Sequence, residues 1–169
     1  MNKLNFLQRL ELGNDKEYYV NDILNLCSIP SRLNNLENVK DIDLYLYEHN
    51  IYVDVKYAGS SFPDSKFYAD IEPSDCLIVD KRHVSNYETK RMEENIDTWI
   101  AFLIEFDDYD VFELRFIRTE DILKLVYDEK AIVRSIKSQN RKMIINLNKN
   151  NCLTMIEFID YLRGLTKGD

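Results

Sequence analysis

The run Trp99 to Phe106, WIAFLIEF, is broken by charge only at Glu105, and it constrains the fold more than any other stretch. It is far shorter than the roughly 18 apolar residues of a membrane span. It reads instead as a central strand buried on both faces, and such a strand needs packed layers above and below it. Helical stripes and β-alternation interleave along the rest of the chain, so an α/β sheet flanked by helices is expected. At 169 residues this makes one domain, 1–169, long enough to bury a real core.

The neighbouring elements follow from local signals. Asn14-Asp15-Lys16-Glu17 has the form of a capping box, and Val20, Ile23, Leu24 and Cys27 continue it as a helical stripe over about 15–27. Residues 28–39 are polar, are interrupted by Pro30, and read as a loop or at best a poor strand. Cys76 to Asp80 is a short apolar strand, and Ser85-x-x-Glu88 opens a charged helix reaching about Asn95. After a turn at Asp107 to Asp110, Phe112, Leu114 and Phe116 alternate inward against Glu113 and Arg115. Thr119 caps a helix to about Tyr127, Met143 to Leu147 forms a strand, and Thr154-x-x-Glu157 opens the last helix. The mixed sheet thus gains β and α elements at its C-terminal end, about 107–169.

Composition removes several classes of function. Cys27, Cys76 and Cys152 are widely spaced and odd in number, which indicates neither a disulfide framework nor a zinc knuckle. His49 and His83 have no second histidine or cysteine at ligand spacing, so any metal here is held by oxygen. The N-terminus, MNKLNFLQRLELGND, lacks the apolar core of a signal peptide, and a cytoplasmic protein without a membrane partner is expected. The net charge of -8 opposes a polyanionic partner, but its distribution is uneven. Between Lys130 and Lys149 there are Lys130, Arg134, Lys137, Arg141, Lys142 and Lys149 and no acid. That segment suits phosphate contacts, or equally a solvated basic face.

The chemistry lies in DIDLYLYEHNIYVDVKY, residues 41–57. Leu44, Leu46, Val53 and Val55 share one face of a hairpin, and Asp43, Tyr45, Asp54 and Lys56 share the other. A two-residue turn at His49-Asn50 sets Asp43 opposite Lys56 and Tyr45 opposite Asp54. Two carboxylates at neighbouring points suit a hard divalent cation such as Mg²⁺, and an adjacent ammonium can orient water and offset charge on phosphorus. The same three residues also suit a cross-strand salt bridge on a wet face. Asp41 has the same parity as Asp43, and Ser60, Ser61, Lys81, Arg82, Lys90 and Arg91 are lesser candidates for phosphate contact.

These residues resemble the PD-(D/E)xK nuclease superfamily, which includes restriction-endonuclease-like and junction-resolvase-like enzymes. Ile42-Asp43 stands where that family has its Pro-Asp pair, Asp54-Val55-Lys56 stands for D/E-x-K, and Glu17 for the glutamate of the first helix. The similarity spans about residues 10–106 and implies an αβββαβ core. It further implies metal binding by Asp43, Asp54 and Glu17, catalysis by these with Lys56, Mg²⁺ (or Mn²⁺) as cofactor, and DNA as partner. Many members act as dimers, so the resemblance admits a homodimer. The rival reading is a non-catalytic acidic inhibitor or immunity-type protein on such a scaffold, suggested by Glu105, Asp107, Asp108, Asp110 and Glu113.

Overall fold

The computed structural model describes residues 6–34, 42–59, 61–105, 112–136 and 142–165, with side chains from residue 15 onward. Helix α1, Phe6–Leu26, is longer than its sequence signals indicate and runs straight through the expected capping box. Its later turns bury Val20 and Leu24, and this packing overrides a local cap preference and the cost of an interior Gly13, about 1 kcal/mol. It ends where Ser28 turns left-handed (φ 61) and the Ile29 N–H reaches back to the Leu24 carbonyl at 2.9 Å.

Three strands follow: β1 (Arg32–Leu33), β2 (Leu44–Leu46) and β3 (Ile51–Ala58). The stretch expected to be loop or at best a poor strand therefore contains a two-residue edge strand, too short to show an alternation. After the short helix α2 (Ser65–Ala69) come β4 (Cys76–Asp80), α3 (Lys81–Glu94), β5 (Asp97–Ile104), β6 (Glu113–Arg118) and α4 (Thr119–Tyr127). The chain continues through β7 (Ile132–Ile136), β8 (Lys142–Asn148), β9 (Leu153–Thr154) and α5 (Met155–Leu165).

The main sheet has the order β1-β2-β3-β5-β6-β9 and is mixed, since β3 and β5 run parallel while the other neighbours are antiparallel. β4 leaves this sheet and pairs with β8 and β7 in a second, three-stranded sheet. The core order αβββαβ is therefore met by α1, β1, β2, β3, α3 and β5, with α2 and β4 inserted before α3. Periodicity identifies β4 as a strand but carries no information about which sheet takes it.

β5 is buried on both faces, as its composition requires. Trp99, Ala101 and Leu103 pack with α1, α5 and the hairpin, while Ile100, Phe102 and Ile104 pack with α3, α4 and the second sheet. On the first face Phe116 and Phe158 stack with centroids 4.2 Å apart, and Trp99 meets Phe158 edge-on at 4.9 Å. Phe158→Ala empties the centre of this cluster, and urea denaturation is expected to register a loss of about 3–5 kcal/mol.

Two helix starts deserve correction. α3 begins at Lys81, capped by Asp80, whose carboxylate accepts from the Arg82 N–H at 2.8 Å; Ser85 lies inside the helix. Thr119 opens α4 from within, where it is fully buried against Thr98. Thr154 and Glu157 do form the reciprocal capping box that opens α5.

Candidate active site

The hairpin register differs from the expected one by two residues. Leu44 pairs with Val53, Tyr45 with Tyr52 and Leu46 with Ile51, around a four-residue turn that ends with Asn50 in the left-handed region (φ 54). A shift of two preserves the faces, so Leu44, Leu46, Val53 and Val55 remain in the core. It changes the partners: continued by one step, the register brings Asp43 opposite Asp54 rather than opposite Lys56. Two acids therefore meet where a salt bridge was expected.

β2 starts only at Leu44, so β3 loses its β2 neighbour from Asp54 onward while it stays paired with β5 on its other edge. The backbone of Asp43 turns instead toward β1, where its carbonyl accepts from the Asn34 N–H at 2.8 Å. Its side chain fills the gap in the ladder, with Oδ2 accepting from the Val55 N–H at 2.7 Å. A carboxylate thus replaces a strand where the sheet splits, and Glu17 arrives from α1 within electrostatic reach of Asp43, Asp54 and Lys56.

Asp54, only 2 % exposed, points the other way from the hairpin core. Its Oδ1 accepts from the Tyr87 hydroxyl at 2.7 Å, and its Oδ2 lies 2.6 Å from Lys56 Nζ. That last contact is an ion pair without hydrogen-bond alignment, and Oδ2 is otherwise without a partner among the described residues, as is the buried Oε2 of Glu17.

The charges act on one another. Burial, then the carboxylates of Asp54 and Glu17, push the Asp43 carboxyl up to about 8. Burial and Asp54 likewise raise Glu17, against the opposing pull of Lys56. For Lys56 burial works against the charge, but the surrounding carboxylates, Asp54 foremost, outweigh it and hold the ammonium above its ordinary value. Tyr87 is raised by burial and by Asp54, so it remains a proton donor. Burial and Lys56 lower His83, which leaves a neutral imidazole at neutral pH.

This donor set fits a hard divalent cation: three carboxylates, with Glu17 Oε2 lacking any hydrogen-bond partner among the described residues and Asp54 Oδ2 held only by the Lys56 ion pair, and no sulfur or imidazole at the centre. Among the described residues no three Asp, Glu, His or Cys side chains form a ready cage. Mg²⁺ does not require one, because it commonly takes one or two carboxylates and retains water.

The chain has three further acid-x-lysine triplets, Asp64-Ser65-Lys66, Glu88-Thr89-Lys90 and Asp128-Glu129-Lys130, and they are placed elsewhere. Lys66 pairs with Asp70 and Glu72, Glu88 to Lys90 lies on α3, and Lys130 pairs with Asp128 in a turn. Lys90 lies over the Tyr52 ring, and Arg91 is taken by Glu88. Of the basic segment, Arg134 lies over the Tyr68 ring at 4.9 Å, and Lys142 stands 3.3 Å from Asp80 near the site. Lys149 joins Asp75 and Glu113. Lys137 and Arg141 lie outside the described residues, as do Asp41, Ser60, Asp107, Asp108 and Asp110.

Tyr87 and His83 are the site residues that sequence reasoning missed. With Asp80 recognised as the helix cap, their i, i+4 spacing would have put both on one face of α3. Tyr87→Phe removes one acceptor contact of a buried carboxylate, with an expected cost of about 1–2 kcal/mol in urea denaturation.

No protein-family profile and no curated protein matches the sequence. Among solved structures, a Holliday junction resolvase of the archaeal hyperthermophile Archaeoglobus fulgidus aligns with a TM-score of 0.52 at 10% identity, covering 86% of this chain and 93% of the resolvase. A nuclease from a fusselovirus aligns with a TM-score of 0.56 at 15% identity, covering 99% and 96%. The chain therefore has a restriction-endonuclease-like fold, shared with these two nuclease structures.

Proposed function

We propose that this protein is a divalent-cation-dependent nuclease that hydrolyses internal phosphodiester bonds of DNA. The observation that carries the reading is the convergence of Glu17, Asp43 and Asp54 beside Lys56 at the split of the hairpin, with carboxylate oxygens of Glu17 and Asp54 left without hydrogen-bond partners. Buried like charges of this kind cost stability, and a bound cation offsets that cost. The nuclease folds of the two aligned structures point the same way.

In this reading Asp43 and Asp54 hold Mg²⁺ (or Mn²⁺), and Glu17 contributes from α1 as a further ligand or through a bound water. The cation supplies Lewis-acid charge to the phosphoryl group and favours deprotonation of water near neutral pH. The protein supplies position. Val55 N–H fixes one oxygen of Asp43, and the Tyr87 hydroxyl fixes one oxygen of Asp54, so each carboxylate presents its second oxygen to the site. Lys56, held protonated by its acidic neighbours, donates to the attacking water or to a non-bridging oxygen and offsets the negative charge that builds there. Water adds to phosphorus and gives up a proton to solvent, the P–O ester bond breaks, and the leaving oxygen takes up a proton from solvent.

The test is incubation of the purified protein with supercoiled plasmid, linear duplex, single-stranded DNA and RNA, each with Mg²⁺, Mn²⁺ or EDTA. Nicking or linearisation of plasmid that needs the metal and is lost in Asp54→Asn is the expected result. Cleavage of RNA alone would move the substrate class, and absence of any cleavage would overturn the reading.

A further inference from the structure

Beside the site, the start of α3 and the start of β8 enclose a cleft of about 630 Å³ lined by Asp80, Lys81, Arg82, His83, Lys142 and Met143. We infer that this cleft, which rests on the nuclease reading for its substrate, binds the sugar-phosphate backbone of the nucleic-acid strand next to the scissile bond. It is large enough for a nucleotide-sized group. Its charge is unlike that of the protein as a whole: two lysines and an arginine face one acid in a chain of net charge -8.

The cations come from two separate elements. Lys142 is shared with Asp80, but Lys81 and Arg82 are exposed and make no ion pair among the described residues. The anion preference does not rest on the helix terminus, because Asp80 already occupies the Arg82 N–H. His83 links the cleft to the chemistry. It lines the cleft, lies within electrostatic reach of Lys56 and Asp54, and its buried Nδ1 has no partner among the described residues. A strand whose scissile phosphate sits at Lys56 would pass His83 and bring a flanking phosphate to Lys81, Arg82 and Lys142. Met143, 41% exposed, gives the sugar or base an apolar surface. Screening over roughly 8 Å at physiological salt lets these cations act locally despite the acidic remainder.

The experiment measures binding of fluorescently labelled single-stranded and duplex DNA to the full chain in EDTA, over a range of salt, so that cleavage plays no part. The Lys81→Gln/Arg82→Gln double variant is expected to lose about tenfold or more in affinity and to flatten the slope of log affinity against log salt by about one to two units. Lys66→Gln, whose lysine is already paired on α2, should bind like the wild type. Thermal melts confirm folding of both variants. Equal affinity and slope in the double variant would overturn the inference while leaving the nuclease reading to the cleavage assay. A mononucleotide that binds as tightly as the strand would overturn it as well, marking a small-molecule phosphate pocket. Salt-dependent binding lost in the double variant, without cleavage by the wild type, would sustain the cleft and remove the nuclease.

Discussion

Lys56→Met is expected to lower the rate of metal-dependent cleavage about 10³-fold, within the range lost when a charge-stabilising or proton-handling group is removed. The side chain is 29 % exposed and its Nζ lies 2.6 Å from Asp54. Loss of the ammonium leaves Asp54 without its counter-charge, and partial solvation limits the stability cost to about 1–2 kcal/mol. Catalysis and stability separate in Lys56→Arg. A guanidinium restores the ion pair and most of the stability, but its planar fork does not reproduce a compact ammonium beside the attacking water. Steady-state cleavage rates together with urea denaturation check both parts. Full activity in Lys56→Met, or full rescue of cleavage by arginine, would make Lys56 a structural partner of Asp54 and nothing more.

Asp43→Asn is expected to stabilise the metal-free protein while removing its response to Mg²⁺. The asparagine oxygen can still accept from the Val55 N–H, so the split in the sheet keeps its plug while a carboxyl that is costly to ionise beside Asp54 and Glu17 gives way to a neutral amide. Folded Asp43 keeps its proton up to about 8, whereas the carboxyl of an unfolded chain loses it near 3.8. Between those limits the folded state binds the extra proton. Wild-type stability therefore falls as pH rises through this window and levels off above it. The variant lacks that fall, so its advantage should already be about 1–2 kcal/mol near pH 5 and grow to several kcal/mol by pH 8. Mg²⁺ should raise the wild-type Tm and leave that of the variant nearly unchanged. A variant less stable than wild type at pH 8 would show Asp43 to be a structural acceptor whose charge helps the fold.

The parts of this architecture that were legible in the chain are those set by strong periodicity. WIAFLIEF identified the doubly buried β5, and the alternation through the hairpin assigned Asp43, Asp54 and Lys56 to one face and four aliphatics to the other. Face assignment survives a register slip of two, so the grouping of these residues on one face was legible although their partners were not. What the chain did not reveal depends on tertiary pairing. Two-residue strands such as β1 have no period to detect, and β4 looks the same whether it joins one sheet or another. The start of α3 was misplaced because Ser85-x-x-Glu88 and Asp80 are both acceptable caps, and only packing chooses between them. That choice hid Tyr87 and His83 from the site. The basic segment was read as one stretch, but folding disperses it: Arg134 to Tyr68, Lys149 to Asp75 and Glu113, and Lys142 to the cleft.

The acidic cluster behind the rival reading is also partly neutralised. Glu105 accepts from the Tyr57 hydroxyl, and Glu113 is held by Arg115 and Lys149. The buried acids gather instead at Glu17, Asp43 and Asp54, where Lys56 is the ammonium paired with Asp54 and Glu17 Oε2 has no hydrogen-bond partner among the described residues. A titration of Mn²⁺ into the wild-type protein and into Asp54→Asn, followed by calorimetry at pH 8, tests most directly whether these acids form a metal centre. The account predicts saturable binding to the wild type, with release of protons, and its loss in the variant. Binding that is absent from the wild type, or unchanged in Asp54→Asn, would contradict it.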